Sequence, residues 1–597
     1  MIVVYSGYNQ RAVIAFLRTL EKNRIDYYIV ASCDKDTIFL TEYREKVVFT
    51  RKIRDIELNE MISSIDMIKT KMDNPNDDIF IAPTSEYLNR FLLDYRRAFE
   101  DKGCIIPLVN KELYEKISDK KTFVDLCEKH GILVPHTVSY DDGYDGVIVA
   151  KPNKYLSSDG IVYSPVFIND RCEYEEFLKT HSYEDFSFQE YLVGESYYLL
   201  FYFSLAGDVY SFSQINYKQQ ADGKSILYAK TADIHKESRI TEPYVNMLFS
   251  LGFHGLIMIE LRKTADDYYM IEANPRFWGP SQLFCDANYN LFECMLYDYG
   301  MLKQKNDTDN TNEAYYLWSG GFENDIDDIV GNDVYFRPDT EKIYYKERLE
   351  RLYKKSSKHS GYQVMPDCLC GLLDQGNLLI KSRFEKERFE YIEKHITLKQ
   401  KKVLDIGGNT GYFTFSAQEC GAAHVDYYEG NNIHAEFVRT ATKALEKEDY
   451  ITVFGEYFDF ESVGSKYDVC FCLNVLHHLG DDFGNAQDVL EAKELMLKAI
   501  NRLSYCADIM VFQLGFNWKG NRNKCLFDNG TKTELIDFVK QCEANWQFIS
   551  VGVPVKSENQ VVYEELNENN ILRQDELGEF LNRPIFIMKS IRANTDL

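Results

Sequence analysis

The sequence predicts a multidomain α/β protein on three observations. A strand, tight turn and helix open the chain, the same succession returns past its midpoint, and a polar stretch without apolar periodicity lies between. At 597 residues the chain is several times the usual domain length, so three to five folding units are expected. Residues 2–5 (IVVY) read as a strand, SGYN as its turn, and Val13, Phe16, Leu17 and Leu20 recur at helical spacing. With YYIVAS and DDIFIAP as further strands, residues 1–110 form a small parallel α/β unit. From 111 to 302, helical patterns alternate with strands such as VIVAKP, YYLLFYFSL and YYMIEANP. Residues 303–313 (KQKNDTDNTNE) have the composition of a linker, and with the charged run around Leu349 and Leu352 they make 303–384 a linker and bridging or substrate-capping segment. KKVLDIGG then begins a second α/β domain, 385–597.

Lys and Arg number 68 against 94 Asp and Glu, and the net charge of −26 repels a polyanionic backbone, so nucleic acid is not an expected partner. No uncharged apolar run is long enough to cross a bilayer, so no membrane insertion is expected. The apolar start lacks the basic leader and small-residue cleavage site of a signal peptide. The fourteen Cys sit mostly in apolar segments such as VCFCLNV, where Cys470 and Cys472 read as buried reduced thiols, and a cytoplasmic location is expected. Cys368 and Cys370 have the wrong spacing for a zinc knuckle.

The densest chemistry of the first half lies in IELRKTADDYYMIEANPR, where Glu260 and Glu272 stand twelve residues apart and Asn274 follows two later. A hairpin turning at ADD sets Glu260 opposite Glu272, with Asn274 and Arg276 on the same face. Three oxygen ligands then converge, a set suited to Mg²⁺, and the Arg276 fork suits a phosphate or carboxylate.

On these residues the first half resembles the ATP-grasp superfamily, in particular its carboxylate-amine ligases and the carbamoyl-phosphate-synthase-like branch, over roughly residues 1–300. The resemblance implies an ATP-grasp fold behind a Rossmann-like pre-ATP-grasp domain, with ATP and one or two Mg²⁺ ions. It implies metal ligands at Glu260, Glu272 and Asn274, with Glu272 and Arg276 acting at the transferring phosphate. SDKKTF matches the family's Asp-Lys segment and makes Lys120 a phosphate or adenine contact, while Lys151 of VIVAKP would reach the α-phosphate. QEYLVGE resembles the hinge, where Glu190, Tyr191 and Leu192 meet adenine and Glu195 the ribose. The phosphate-covering loop, NKYLSSDGI, departs from the family in supplying only Gly160, with Ser157 and Ser158 as additional donors.

In KKVLDIGGNTGYFTF an apolar strand ends in Asp405, and Gly407, Gly408 and Gly411 allow a tight turn and close approach of a ligand. The strand HVDYYEG ends in Glu429, twenty-four residues after Asp405, and YDVCFCLNVLHHL follows. Together these resemble a Rossmann-like class I methyltransferase dependent on S-adenosyl-L-methionine. The resemblance implies that Asp405 and the 407–411 turn contact the methionine end, that Glu429 holds the ribose, that Asp459 approaches adenine, and that Asn474 borders the methyl donor. His477 is either a structural signature or a residue acting near the acceptor.

The expected function is a bifunctional tailoring enzyme that joins a small-molecule carboxylate to an amine through an acyl phosphate and methylates the substrate or product. The alternatives are a methyltransferase whose ATP-grasp half only binds nucleotide or acceptor, and a peptide-modifying enzyme. Composition leaves the oligomeric state open.

Overall fold

The computed structural model describes the chain apart from residues 53–54, 156, 159, 222–224, 266, 305–310, 323–332, 357–362, 374–375, 377, 379, 381, 462–465, 558–559 and 593–597 and the side chain of residue 557. Most of the expected linker, 305–310, and Asp266 of the expected ADD turn lie outside the described residues. The chain divides into two compact units, Met1–Tyr344 and Tyr345–Leu597.

In the first unit, strands β1 (Ile2–Tyr5), β2 (Tyr27–Ala31), β3 (Val47–Thr50), β4 (Ile79–Ile81) and β5 (Cys104–Ile105) form a parallel sheet in the order β3-β2-β1-β4-β5. Continuous apolar runs such as IVVY suit this sheet because its strands are covered on both faces. The helix Gln10–Lys22 contributes an unbroken buried run from Ala12 to Leu17.

Two antiparallel sheets complete the unit. The smaller comprises β6 (Ile148–Pro152), β7 (Val166–Ile168) and β8 (Phe186–Glu190), ordered β7-β6-β8. The larger is built from β9 (Glu195–Phe203), β10 (Val209–Gln219), β11 (Ile226–Ala232), β12 (Gly255–Lys263), β13 (Tyr268–Asn274) and β14 (Tyr315–Leu317) in the order β13-β12-β9-β10-β11-β14. Strand β14 comes from the stretch read as bridging. It pairs with β11 because Tyr316 and Leu317 carry apolar surface that the sheet buries to 2% and 1% exposure.

The second unit holds an eight-stranded sheet of β15 (Lys402–Ile406), β16 (His424–Tyr428), β17 (Ile451–Phe454), β18 (Tyr467–Leu473), β19 (Ala507–Gln513), β20 (Trp546–Ser557), β21 (Gln560–Glu565) and β22 (Ile585–Ser590). The order is β17-β16-β15-β18-β19-β22-β20-β21. Strands β15 to β19 are parallel, and β22 enters antiparallel between β19 and β20. Strand order reverses between β15 and β18, where an open α/β sheet leaves a crevice at its carboxyl edge. Among the described residues no helix is long and apolar enough to cross a membrane.

Within the first unit, Arg18 grips Asp339 with both arms, Nε to Oδ2 at 2.7 Å and Nη2 to Oδ1 at 3.0 Å, and also donates to Val334 O at 2.9 Å. Both side chains are largely buried, so removing the cation strands a carboxylate whose desolvation is no longer offset. Arg18→Ala is expected to cost the first unit about 3 kcal/mol, seen by calorimetry as a lower unfolding midpoint, with Arg18→Lys recovering less than half.

Candidate active sites

The β12–β13 register sets Glu260 against Glu272 and Asn274 against Met258, with a bulge after Glu260. This is the pairing that the twelve-residue spacing predicts. Glu260 is buried, with Ser196 Oγ at 3.5 Å and Arg262 Nη2 at 3.7 Å. Behind it, Asn216 Nδ2 donates to Ser196 Oγ at 3.0 Å, and Gln214 Nε2 donates to Asn216 Oδ1 at 2.6 Å. Half-buried Glu272 accepts from Asn274 Nδ2 at 2.9 Å and lies 3.4 Å from Lys120 Nζ. Arg276 donates to Asn274 Oδ1 at 3.3 Å. Burial and the neighbouring Glu272 push the Glu260 carboxyl up to about 7. Burial works the same way on Glu272, but Lys120, the Asn274 amide, Lys151 and Arg276 outweigh it and hold that carboxyl below its ordinary range. Two carboxylates and an amide oxygen form a hard donor set whose facing negative charges a divalent cation would relieve, so the residues fit Mg²⁺.

Lys151 is buried on β6, donates to Ile271 O at 3.2 Å, and is brought down to about 8 by burial and by Lys120. Two cations therefore stand across from the acidic pair, an arrangement that a polyphosphate would neutralise. Glu190 ends β8, where its Oε1 accepts from His136 N at 2.9 Å, while Tyr191 N donates to Val147 O at 3.0 Å. Tyr191 and Glu195 are exposed, Leu192 is partly exposed, and Glu195 Oε2 accepts from Tyr197 OH at 3.1 Å. In the covering loop, Gly160 takes φ +79° and its N–H bonds Ser157 O at 3.0 Å. Ser158 departs from the expected phosphate donor: its N–H and hydroxyl both bond the Asp185 carboxylate, at 3.1 and 2.5 Å.

In the second unit, a cavity of about 710 Å³ opens at the β15/β18 reversal and is lined by Asp405, Gly407, Gly408, Glu429, Asn474 and His477, among others. Gly407 has φ +67°, and a Cβ there would lie 2.6 Å from Val475 Cγ2. A Cβ on Gly408 would meet the Tyr427 ring at 2.5 Å and Asp405 Oδ2 at 2.8 Å. The turn therefore needs glycine for both conformation and space. Gly411 precedes the helix Tyr412–Glu419 with φ +83° and is not among the lining residues.

Asp405 is 3% exposed and accepts from Thr414 Oγ1 at 2.6 Å; burial, with Glu429 nearby, pushes its carboxyl up to about 7. Glu429 accepts from the N–H groups of Asn409 and Asn431, each at 2.9 Å, yet burial still raises it. Asn474 takes φ +63° and links Gln513 Oε1 at 2.8 Å to Arg583 Nη1 at 2.7 Å.

Asp459 does not reach the cavity. Its Oδ1 accepts from Glu461 N at 2.8 Å, which turns the carboxylate into a local turn cap, and Glu456, Tyr457 and Phe458 line the cavity instead. His477 is buried and its Nδ1 accepts from Gly515 N at 3.4 Å, which leaves the ring proton on Nε2. Burial, Arg583 and His478 hold the ring well below its usual titration range. The ring is thus held neutral, with Nδ1 taken up by the Gly515 N–H.

Sequence reasoning passed over Glu86, whose carboxylate accepts from Tyr114 OH at 2.8 Å and lies 3.9 Å from Arg276 Nε. It also passed over Arg383, Arg388 and Arg583 at the cavity. No motif marks them, since each is an ordinary residue delivered by a helix or strand end distant in sequence.

No family model matches the chain. A 97-residue stretch is 31% identical to a tRNA U34 carboxymethyltransferase of Nautilia profundicola, and 95 residues are 27% identical to that of Sulfurimonas denitrificans. Each match covers 16% of this chain and spans 31% of the relative's length. Among solved structures, biotin carboxylase from Campylobacter jejuni is similar over 53% of this chain and 74% of its own, at TM-score 0.41 and 12% identity. N5-carboxyaminoimidazole ribonucleotide synthetase from Thermus thermophilus is similar over 53% of this chain and 82% of its own, at TM-score 0.40 and 11% identity. These structural neighbours lie over the N-terminal half.

Asp405 ties stability to pH. Its carboxyl titrates near 7 in the folded chain against an ordinary 3.8, so between these values the native state holds a proton that the unfolded state has released. The stability from this group is therefore full below the ordinary value and is lost as pH rises through about 7. Asp405→Asn keeps an acceptor for Thr414 and is expected to raise the unfolding midpoint more at pH ~8 than at pH ~5, the two increments differing by at least ~2 °C, the response of a domain this size to about 1 kcal/mol. Thermal denaturation at the two pH values checks it.

Proposed function

We propose a bifunctional biosynthetic enzyme in which residues 1–302 ligate a small-molecule carboxylate to an amine and residues 385–597 transfer a methyl group from S-adenosylmethionine to the substrate or product. The observation that carries the ligase reading is the Glu260–Glu272 pair facing Lys120 and Lys151, a charge pattern matched to Mg²⁺ and polyphosphate. The methyl-transfer reading rests on the cavity at the strand reversal, with Asp405 and Glu429 at its acidic edge.

When bound, Mg-ATP supplies the phosphoryl group that turns a carboxylate into an acyl phosphate, which an amine converts to an amide with release of phosphate. Glu260, Glu272 and Asn274 would hold the metal, Lys120 and Lys151 would neutralise the phosphate chain, and Arg276 would brace the carboxylate as charge shifts onto it. None of these groups needs to be a nucleophile; orientation and charge neutralisation carry the step. S-adenosylmethionine supplies a methyl already activated on sulfur. Asp405 and Glu429 would receive the donor's cationic and hydroxyl groups, and the glycine turn lets backbone approach it. A tRNA substrate, as in the names of the relatives, is not part of this proposal, because a net charge of −26 opposes a polyanion.

A second reading, in which the first half binds nucleotide without turnover, is favoured by Ser158, whose donors are spent on Asp185 rather than held open for phosphate. Formation of ADP with any acid and amine pair removes it.

Glu272→Ala is expected to lower ATP turnover at least ~100-fold while leaving methyl transfer intact, and Asp405→Ala to do the reverse. Mass spectrometry of reactions with ATP, S-adenosylmethionine and a metabolite pool reads both, and retained ADP formation in Glu272→Ala defeats the ligase assignment. Because Glu260 titrates near 7, Mg²⁺-dependent nucleotide binding should tighten as pH rises from about 6 to 8, and Glu260→Gln should flatten that rise. Calorimetric titrations across that range measure it.

A further inference from the structure

Two left-handed residues stand at the strand reversal of the second unit. Gly407, after β15, has φ +67°, and Asn474, after β18, has φ +63°. Both line the 710 Å³ cavity. Glycine takes this conformation freely, whereas a residue with a Cβ does so at a cost that asparagine bears better than most. Strain of this kind at a cavity wall persists where the neighbours over-determine it.

Here they do so through a closed ring of hydrogen bonds. Asn474 Nδ2 donates to Gln513 Oε1 at 2.8 Å, Gln513 Nε2 donates to Arg583 O at 2.9 Å, and Arg583 Nη1 donates to Asn474 Oδ1 at 2.7 Å. The backbone is pinned as well, with Asn474 N donating to Gln513 O at 2.8 Å. Gln513 is fully buried and Arg583 is 8% exposed, so little water competes for these bonds. Arg583 is fixed in turn by Glu579, Nε to Oε1 at 3.1 Å and Nη2 to Oε2 at 2.6 Å, and Glu579 Oε1 accepts from Phe516 N at 3.1 Å. The fork of Arg583 is thus spent on a carboxylate of its own chain and its remaining arm on Asn474. Both ends of the Asn474 amide are taken up by the wall.

The residue that this ring controls is the next one along. Val475 follows Asn474, and a Cβ on Gly407 would lie 2.6 Å from Val475 Cγ2, so the valine side chain abuts the glycine turn that lets a ligand approach. Releasing Asn474 from its left-handed conformation would redirect Val475 relative to that turn.

We propose that Arg583, braced by Glu579, is a positioning residue: it holds Asn474 left-handed and so sets the gap between Val475 and the Gly407 turn in which the methyl donor is seated. The inference rests on the reading of this cavity as the S-adenosylmethionine site. Arg583 acts through Asn474 and does not itself touch the donor.

The test is a double-mutant cycle on the full chain, with S-adenosylhomocysteine titrated by calorimetry and thermal unfolding followed in parallel. Arg583→Lys keeps the charge but loses the fork and should weaken S-adenosylhomocysteine at least ~10-fold, and Glu579→Gln, which keeps an acceptor for Phe516 N–H, at least ~3-fold. Glycine needs no holding in a left-handed conformation, so in the Asn474→Gly background Arg583→Lys should add less than ~3-fold. A further ~10-fold loss in that background overturns the proposal, because Arg583 then touches the donor directly. Unchanged affinity in Arg583→Lys and Glu579→Gln, with a lowered unfolding midpoint, overturns it too and leaves the ring a structural tie. Complete loss of binding in Asn474→Gly does the same, since it makes the amide the donor contact. A wild-type chain that binds no S-adenosylhomocysteine defeats the donor reading itself and this inference with it, a result distinct from the others.

Discussion

A carboxylate held on a strand against the pull of desolvation is the constraint on which both candidate sites depend. Glu260 and Asp405 are each buried, each has a second acid nearby, and each is pushed up to about 7. Neither has a close cationic partner among the described residues that would make it a structural ion pair: Arg262 stands 3.7 Å from Glu260, and Asp405 is held by Thr414, through its hydroxyl and its backbone. Such groups persist where the surrounding structure can bear their cost and an incoming cation can remove it.

The surroundings differ in a way that follows from what would arrive. Around Glu260 the backing is an amide and hydroxyl relay through Ser196, Asn216 and Gln214, on adjacent antiparallel strands whose register fixes each oxygen. That rigidity suits a metal, which penalises misplaced ligands. Around Asp405 the backing is a glycine turn closed over Val475 and Tyr427, which leaves space rather than donors. Space suits an organic ligand whose own atoms complete the packing.

Much of this could be read from residue spacing, and the reason is periodicity. A hairpin pairs residues symmetrically about its turn, so Glu260 and Glu272 could be matched without coordinates, and Gly407 and Gly408 follow a strand whose terminal acid is visible in KKVLDIGG. Asp459 was not legible, because whether a carboxylate faces a cavity or folds back onto Glu461 N–H depends on one turn's geometry. Ser158 misled for a related reason: a serine in a loop advertises a donor but not the acceptor that claims it, here Asp185, twenty-seven residues away. Arg388 and Arg583 lie 195 residues apart in sequence and meet through Phe580 and Gln513, so no local pattern could join them.

His477 sharpens what this arrangement can do. With Nδ1 taken by Gly515 N–H and the ring kept neutral beside Arg583, it has no free basic nitrogen for an acceptor's proton. A methyl already activated on sulfur can be transferred without such a base when the acceptor arrives ionised or carries its own lone pair, and position then matters more than proton chemistry. Asp405 and Glu429 both line the cavity with carboxyls raised by burial, and their charge would order a cationic donor, so the electrostatics that make these acids costly are those that would seat it.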